Sequence, residues 1–301
     1  MKKITLQHLA NLSGCTVSTV SRALHGNSRI SKETRERILC LARERHYLAP
    51  PGSRTVAVIS YLADFSPDYY IQHLMFLVAK ELQKEQYRTI VVFPQDLSLL
   101  NSLYISGVIS LMPFHHIAHS WSALSPIPLV TINDYSEYFD SIFSVCSDEI
   151  HAVRDVMEQL FACGCRSPGF FSAAAETYCS KKRLETYLEM IECRGIPPRI
   201  FSVSHKSCLN DIPQLNECDS FILPGENLCY LAPKIHAAVP NALLAVWRYS
   251  QENIPNEICV VQDYARIAQQ VVALLGKRIT NGSNLHDEHI RCLVDNRILH
   301  G

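Results

Sequence analysis

Apolar positions along the first forty-seven residues fall at helical spacing, in three short groups. Leu6, Leu9, Ala10 and Leu12 mark a first helix with Thr5 as its N-cap, and Gly14 permits a tight turn after it. A second helix over Val17–Leu24 is capped by Thr16 and turns Val17, Val20 and Leu24 inward. The third is announced by Ser31 with Glu33 and Thr34, and its inward positions are Ile38, Leu41 and Ala42. What the second helix leaves outside is a set of small hydroxyls and one guanidinium: Ser18, Thr19, Ser21 and Arg22. Such groups suit phosphate oxygens and base edges.

Beyond Tyr47 the pattern changes twice. Leu48-Ala49-Pro50-Pro51-Gly52-Ser53-Arg54 cannot sustain a helix across its prolines and reads as a linker. From Val56 short apolar runs alternate with helical periods. Strands are predicted at Val56–Ile59, Thr89–Phe93, Gly107–Leu111 and Leu129–Ile132, with a helix over Tyr69–Gln86. A second set begins near Ser144. It has helices at Ile150–Ala162 and Lys181–Arg194 and strands at Gly169–Ser172, Ile200–Val203 and Ser220–Leu223. This alternation implies parallel sheets covered on both faces.

Charge sharpens the division. The net charge of −1 over 301 residues hides a basic head: residues 1–54 hold ten Lys/Arg against three Glu, and the rest is correspondingly acidic. That asymmetry is the footprint of a nucleic-acid binder whose larger part does something else. No apolar run reaches membrane-spanning length, so a soluble, cytoplasmic protein is expected. Twelve cysteines then read as reduced, buried, small apolar residues, with Cys163-Gly164-Cys165 the only close pair. The His115, His116 and His119 cluster reads as solvated. No metal, cofactor or catalytic constellation is expected, and the protein is read as a non-enzyme.

The segment Ile4–Tyr47 resembles the DNA-binding headpiece of the lactose/galactose repressor (LacI/GalR) family. The matching residues are Thr5-Leu6, Leu9-Ala10, Ser13-Gly14, Thr19-Val20-Ser21-Arg22 and Leu24, followed by Ile30-Ser31-x-x-Thr34-Arg35-x-Arg37-Ile38. Cys15-Thr16 stands where the family has Val-Ser. Scattered later matches include Ser106-Gly107-Val108-Ile109, Ile127-Pro128-Leu129-Val130, Val145-x-x-Asp148, Arg183 with Tyr187, and Val261-Gln262-Asp263-Tyr264. The resemblance implies a small all-α helix-turn-helix headpiece and an α/β periplasmic-binding-protein-like body of two parallel-sheet subdomains around a cleft. The expected boundaries are 1–48 for the headpiece, 49–55 for the linker and 56–301 for the body. Within the body the subdomains span 56–140 and 141–245, with 246–301 crossing between them.

The same resemblance implies a transcriptional repressor acting as a homodimer on double-stranded operator DNA. DNA contacts would come from Thr5, Thr16, Val17, Ser18, Ser21, Arg22, His25, Asn27, Arg29 and Tyr47. A sugar-like small-molecule effector would meet Asp64, Tyr69, Asp148, Arg183, Glu226, Trp247 and Arg248. Asp148 also reads as a helix cap, Arg183 as one half of an ion pair, and an alternative alignment gives Asp263 the acidic role of the strand that ends at Arg248. Three departures stand out. The family's hinge helix is missing after Tyr47 and Pro50, its Asn-Asp turn is Gly225-Glu226 here, and Arg248 replaces an aspartate. They leave open a regulator that has lost effector control, or a binding module or enzyme with a vestigial headpiece.

Overall fold

In this computed structural model, residues 4–50, 52–60, 69–121, 127–135, 143–173, 177–203, 215–281 and 291–300 are described. Three caps set the first domain. Thr5 accepts from His8 N–H at the start of α1 (Leu6–Ser13), Thr16 from Thr19 N–H before α2 (Val17–Leu24), and Ser31 from Thr34 N–H before α3 (Lys32–Glu44). Each hydroxyl satisfies an N–H that the helix itself cannot. Gly14 closes α1 at φ +65°, the left-handed region where a Cβ is penalised.

The inward set differs from the predicted one at two places. Leu12 and Val17 are 49% and 37% exposed, whereas Ser13 and Ala23 are buried. The core is made by Leu9, Ala10, Val20, Leu24, Ile38, Leu39 and Ala42. A three-helix domain this small has one central point to fill, so outer apolar positions stay in solvent.

The chain divides into two compact units: Met1–Val145 with Tyr264–Cys292, and Cys146–Asp263 with Leu293–Gly301. The second unit therefore runs on to Asp263, not 245, and the segment from Tyr264 to Cys292 returns to the first.

In the first unit, β1 (Thr55–Ile59), α4 (Tyr69–Lys84), β2 (Arg88–Val92), α5 (Leu99–Ser102), β3 (Gly107–Ser110), α6 (Ala118–Trp121), β4 (Leu129–Ile132) and β5 (Phe143–Ser147) follow in order. In the second come α7 (Glu149–Ala162), β6 (Pro168–Ala173), α8 (Tyr178–Glu192), β7 (Ile200–Val203), β8 (Ser220–Leu223), α9 (Ala232–Ala238), β9 (Leu243–Arg248) and β10 (Glu257–Val261). The chain then runs through α10 (Tyr264–Asn281), β11 (Arg291–Val294) and β12 (Arg297–His300). The last two strands divide between the sheets, β11 joining the first and β12 the second.

The two sheets share one plan. Their strand orders are β11-β5-β4-β3-β1-β2 and β12-β10-β9-β8-β6-β7. The pairs β1–β2, β1–β3, β3–β4 and β4–β5 are parallel in the first sheet, as are β6–β7, β6–β8, β8–β9 and β9–β10 in the second; β12 joins β10 antiparallel. In each sheet the order reverses beside the first strand of its set, so ligand-binding groups are expected at the carboxyl ends of the strands there.

The packing follows from the buried runs. Val56–Ile59 and Leu129–Ile132 are enclosed on both faces, as parallel strands require. Helix α10 lies against α4, β3 and β4. It approaches so closely that a Cβ on Gly107 would stand 2.7 Å from Leu275 Cδ1. The cysteines are a correction: Cys146, Cys179, Cys218 and Cys259 are buried, but Cys40, Cys163 and Cys193 are exposed. Among the described residues no helix is long and apolar enough to cross a membrane.

Ile38 is fully enclosed at the point where the three headpiece helices meet. Replacing it with alanine removes about 2–5 kcal/mol. In so small a domain that is most of the available stability. Brief trypsin treatment of Ile38→Ala is expected to degrade the headpiece while leaving the remainder of the chain resistant, as judged by mass spectrometry.

Candidate nucleic-acid interface and ligand-binding edges

Helix α2 displays its polar face. Thr16, Val17, Ser18 and Arg22 are exposed and Ser21 is half-buried, with Thr5, His25, Asn27 and Arg29 exposed around them. The Thr16 hydroxyl lies 3.0 Å from that of Ser18 and 2.9 Å from that of Thr19 while capping the helix. His25 Nδ1 sits 2.7 Å from the Ser21 carbonyl, and Asn27 Oδ1 accepts from Arg29 N–H at 2.9 Å. These local bonds hold short side chains in place. Among the described residues Arg22 and Arg29 have no ion-pair partner, so both guanidinium groups face solvent with their donors available.

Tyr47 is placed differently from expectation. Its ring is buried, 5.7 Å from that of Tyr104, and its carbonyl accepts the Tyr104 hydroxyl. Burial raises both phenols above their ordinary value. Tyr47 is therefore part of the headpiece core and offers no ring edge to a phosphate.

In the second unit, the carboxyl ends of the strands converge on a residue the sequence reading did not single out. Glu149, the first residue of α7, is 3% exposed. Its carboxylate accepts Arg183 Nε at 2.6 Å, Arg183 Nη2 at 2.8 Å, Gln262 Nε2 at 2.9 Å and Trp247 Nε1 at 3.2 Å, together with the Ser147 hydroxyl. Arg183 also donates to the Pro224 carbonyl and stands 5.5 Å from the Trp247 ring centroid. Burial works against the guanidinium, but the Glu149 carboxylate outweighs it, aided by Glu226, and leaves Arg183 firmly protonated.

Three effector expectations are corrected by this arrangement. Trp247 is fully buried with its N–H engaged, so it presents no stacking face. Arg248 is held by Glu257 at 2.5 Å and Glu252 at 3.1 Å, which neutralises it. Arg183 is an internal partner, as its ion-pair reading allowed. Asp148 caps α7, accepting from His151 N–H at 3.1 Å and pairing with His151 Nδ1 at 2.6 Å. Its N–H donates to the Val294 carbonyl and its own carbonyl accepts from Asn296. Glu226 is buried nearby; Asp64 and the Tyr69 side chain lie outside the described residues.

The first unit has its own polar edge. Asn133, at φ +52°, donates to the Tyr70 hydroxyl at 2.7 Å, and Asp134 accepts from Phe114 N–H at 2.6 Å. Tyr70 and His73 make edge contacts with Tyr264. Asn-Asp directly after a buried strand was a readable sign of a turn in the left-handed region. Glu149 had a weaker sign, an acid in the first turn of a helix, which is as often a dipole partner as a buried hub.

A helix-turn-helix domain joined to a two-unit α/β body defines the class. The model of "Bacterial regulatory proteins, lacI family" matches residues 5–49 of this chain. The HTH-type transcriptional regulator TreR of Salmonella typhimurium is 26% identical over 212 residues, covering 65% of this chain and 65% of the relative's own length. Two solved structures share the fold over 99% of this chain and 98% of theirs. They are a transcriptional regulator CelR–cellobiose complex (TM-score 0.67, 18% identity) and the lac repressor dimer bound to operator and the anti-inducer ONPF (TM-score 0.66, 16% identity).

Removing Glu149 strands a buried guanidinium. Glu149→Ala is expected to cost about 3–5 kcal/mol, seen as an earlier urea transition in Trp247 fluorescence; an unchanged midpoint would refute the hub. His151 gives a pH signature. Its bond to Asp148, and then the Asp148 charge, raise it above its ordinary 6.5. The folded form binds this proton more tightly, so the stabilisation is complete below pH 6.5 and fades as pH rises through the folded-state value. The difference in denaturation midpoint between the parent and His151→Gln should accordingly be largest in acid and close toward alkaline pH.

Proposed function

We propose that this chain is a sequence-specific DNA-binding transcriptional regulator that acts as a homodimer, with repression as its default action. The observation that carries this reading is the exposed face of α2, where Ser18 and Arg22 stand clear of the core on a domain of net positive charge. Each α2 would enter the major groove of one half of a near-palindromic operator. Arg22 and Ser21 would meet base edges, while Thr5, Thr16, Asn27 and Arg29 would hold the phosphates. The lac repressor dimer bound to operator supports this arrangement by its shared fold. The chain acts by binding, not by catalysis, in the cytoplasm.

The body would take a small polyhydroxyl ligand at its strand ends, in keeping with the cellobiose-bound relative in fold. A second reading, a regulator without effector control, is favoured by one observation: the donors of Arg183, Trp247 and Gln262 are already spent on Glu149. Thermal-shift screening against sugars and sugar phosphates separates the two. A stabiliser that also weakens DNA binding supports effector control, and uniform silence supports its loss.

Arg22→Ala tests the DNA reading. Losing a bidentate base contact should lower operator affinity by about 10–100-fold and relax specificity at one position. Arg29→Ala should instead weaken all sequences alike and flatten the salt dependence. Unchanged titrations of both variants would defeat the reading.

A further inference from the structure

The linker between headpiece and body is short and folded on itself. Ser53 N–H donates to the Pro50 carbonyl at 3.1 Å, and Arg54 Nε donates to the Ala49 carbonyl at 2.8 Å. No helix forms between Tyr47 and Arg54 among the described residues. Contacts far apart in sequence join the two parts instead. Arg43, in the last turn of α3, sends Nη2 to the Leu100 carbonyl at 2.8 Å and the Leu103 carbonyl at 3.2 Å. Those carbonyls lie at the end of α5, where a helix leaves acceptors without partners. The Tyr104 hydroxyl donates to the Tyr47 carbonyl, and the two rings lie 5.7 Å apart. At Gly26 a Cβ would come within 2.8 Å of Leu103 Cδ2, so this turn of the headpiece sits against the same segment.

Apolar packing alone does not fix this seam. It leaves a partly open cavity of about 430 Å³ bordered by Leu24, His25, Tyr47, Pro50, Leu103 and Ile105. Where the walls do not interlock, rotation is restrained by directional bonds. Arg43 supplies two from one nitrogen and Tyr104 a third. The dock also leaves Ser18 and Arg22 exposed, so it holds the headpiece without covering α2.

We propose that Arg43 and Tyr104 are positioning residues that clamp the headpiece onto the body, so that the spacing between operator half-sites is set by a rigid dock rather than by a flexible or folding hinge. The proposal rests on the DNA-binding reading for its consequence but not for the clamp itself. A loosely tethered headpiece reaches half-sites over a range of separations, whereas a clamped pair reaches one.

Two measurements on the full-length protein test it. The first uses no DNA. ¹⁵N relaxation should give headpiece amides the same correlation time as body amides in the parent, and a clearly shorter one in Arg43→Ala and Tyr104→Phe. Tyr104→Phe keeps the ring and removes only the hydroxyl, and retained amide dispersion shows that the headpiece is still folded. Independent tumbling in the parent would overturn the clamp whatever the protein binds. The second uses palindromic duplexes, built from a half-site selected by the full chain out of a random pool and spaced in one-base-pair steps. Parent affinity should fall at least tenfold within two base pairs of the best spacing. In both variants the profile should flatten while binding to a single half-site stays unchanged. Arg43→Lys should not restore the profile, because its ammonium ends one bond short of the place where Nη2 meets both carbonyls. Equally sharp profiles in parent and variants would refute the positioning role. If relaxation shows the clamp while no duplex is bound, the DNA reading fails, and with it the positioning role, while the clamp stands.

Discussion

A single buried carboxylate organises the second unit. Glu149 sits at the start of α7, just past β5, and gathers groups from α8, β9 and the residue after β10. Charge taken out of water to this degree is tolerated only when every lone pair is answered, and here five donors answer it. The arrangement ties the start of α7 to α8 and to the ends of β9 and β10. It also decides what that edge can offer a ligand, because a guanidinium held by two bonds to a carboxylate is no longer a free anion receptor. A polyhydroxyl ligand would have to compete for these donors or use the network from outside through neutral hydroxyl contacts.

The headpiece poses the opposite problem. Its charge faces water, and its few internal bonds serve to hold short polar side chains in register along α2. Thr16 both starts the helix and braces Ser18 and Thr19. The cost of ordering such side chains is met before any partner arrives, which favours selective contact over mere electrostatic attraction.

The legible parts of the sequence were those governed by local rules. Thr5, Thr16 and Ser31 announced three helix starts because a cap needs only a hydroxyl and an N–H three residues on. Apolar runs gave the parallel strands because such strands are enclosed on both faces. Roles that depend on distant neighbours were not legible. Trp247 reads as an effector contact until the packing of α7 and α8 closes over it, and Tyr47 reads as a DNA contact until Tyr104 arrives from 57 residues away. Leu12 and Val17 carry the right period, yet a three-helix core has no room for them.

The contact of Arg43 with the body bears on how a body could influence a headpiece. Arg43 buries much of a charged group against carbonyls alone, with burial pulling its pKa down and no carboxylate in its bonds. Such a contact is costly to disturb, since Arg43 Nε already has no partner and these carbonyls are the acceptors its guanidinium uses among the described residues. The acceptors belong to α5 and the residue just after it, the segment that leads into β3 of the first sheet. A shift of that turn by a fraction of an ångström would be felt at α3 through bonds already near their ideal length, whereas a flexible tether would absorb it. Rigid coupling of this kind transmits small displacements and resists large ones.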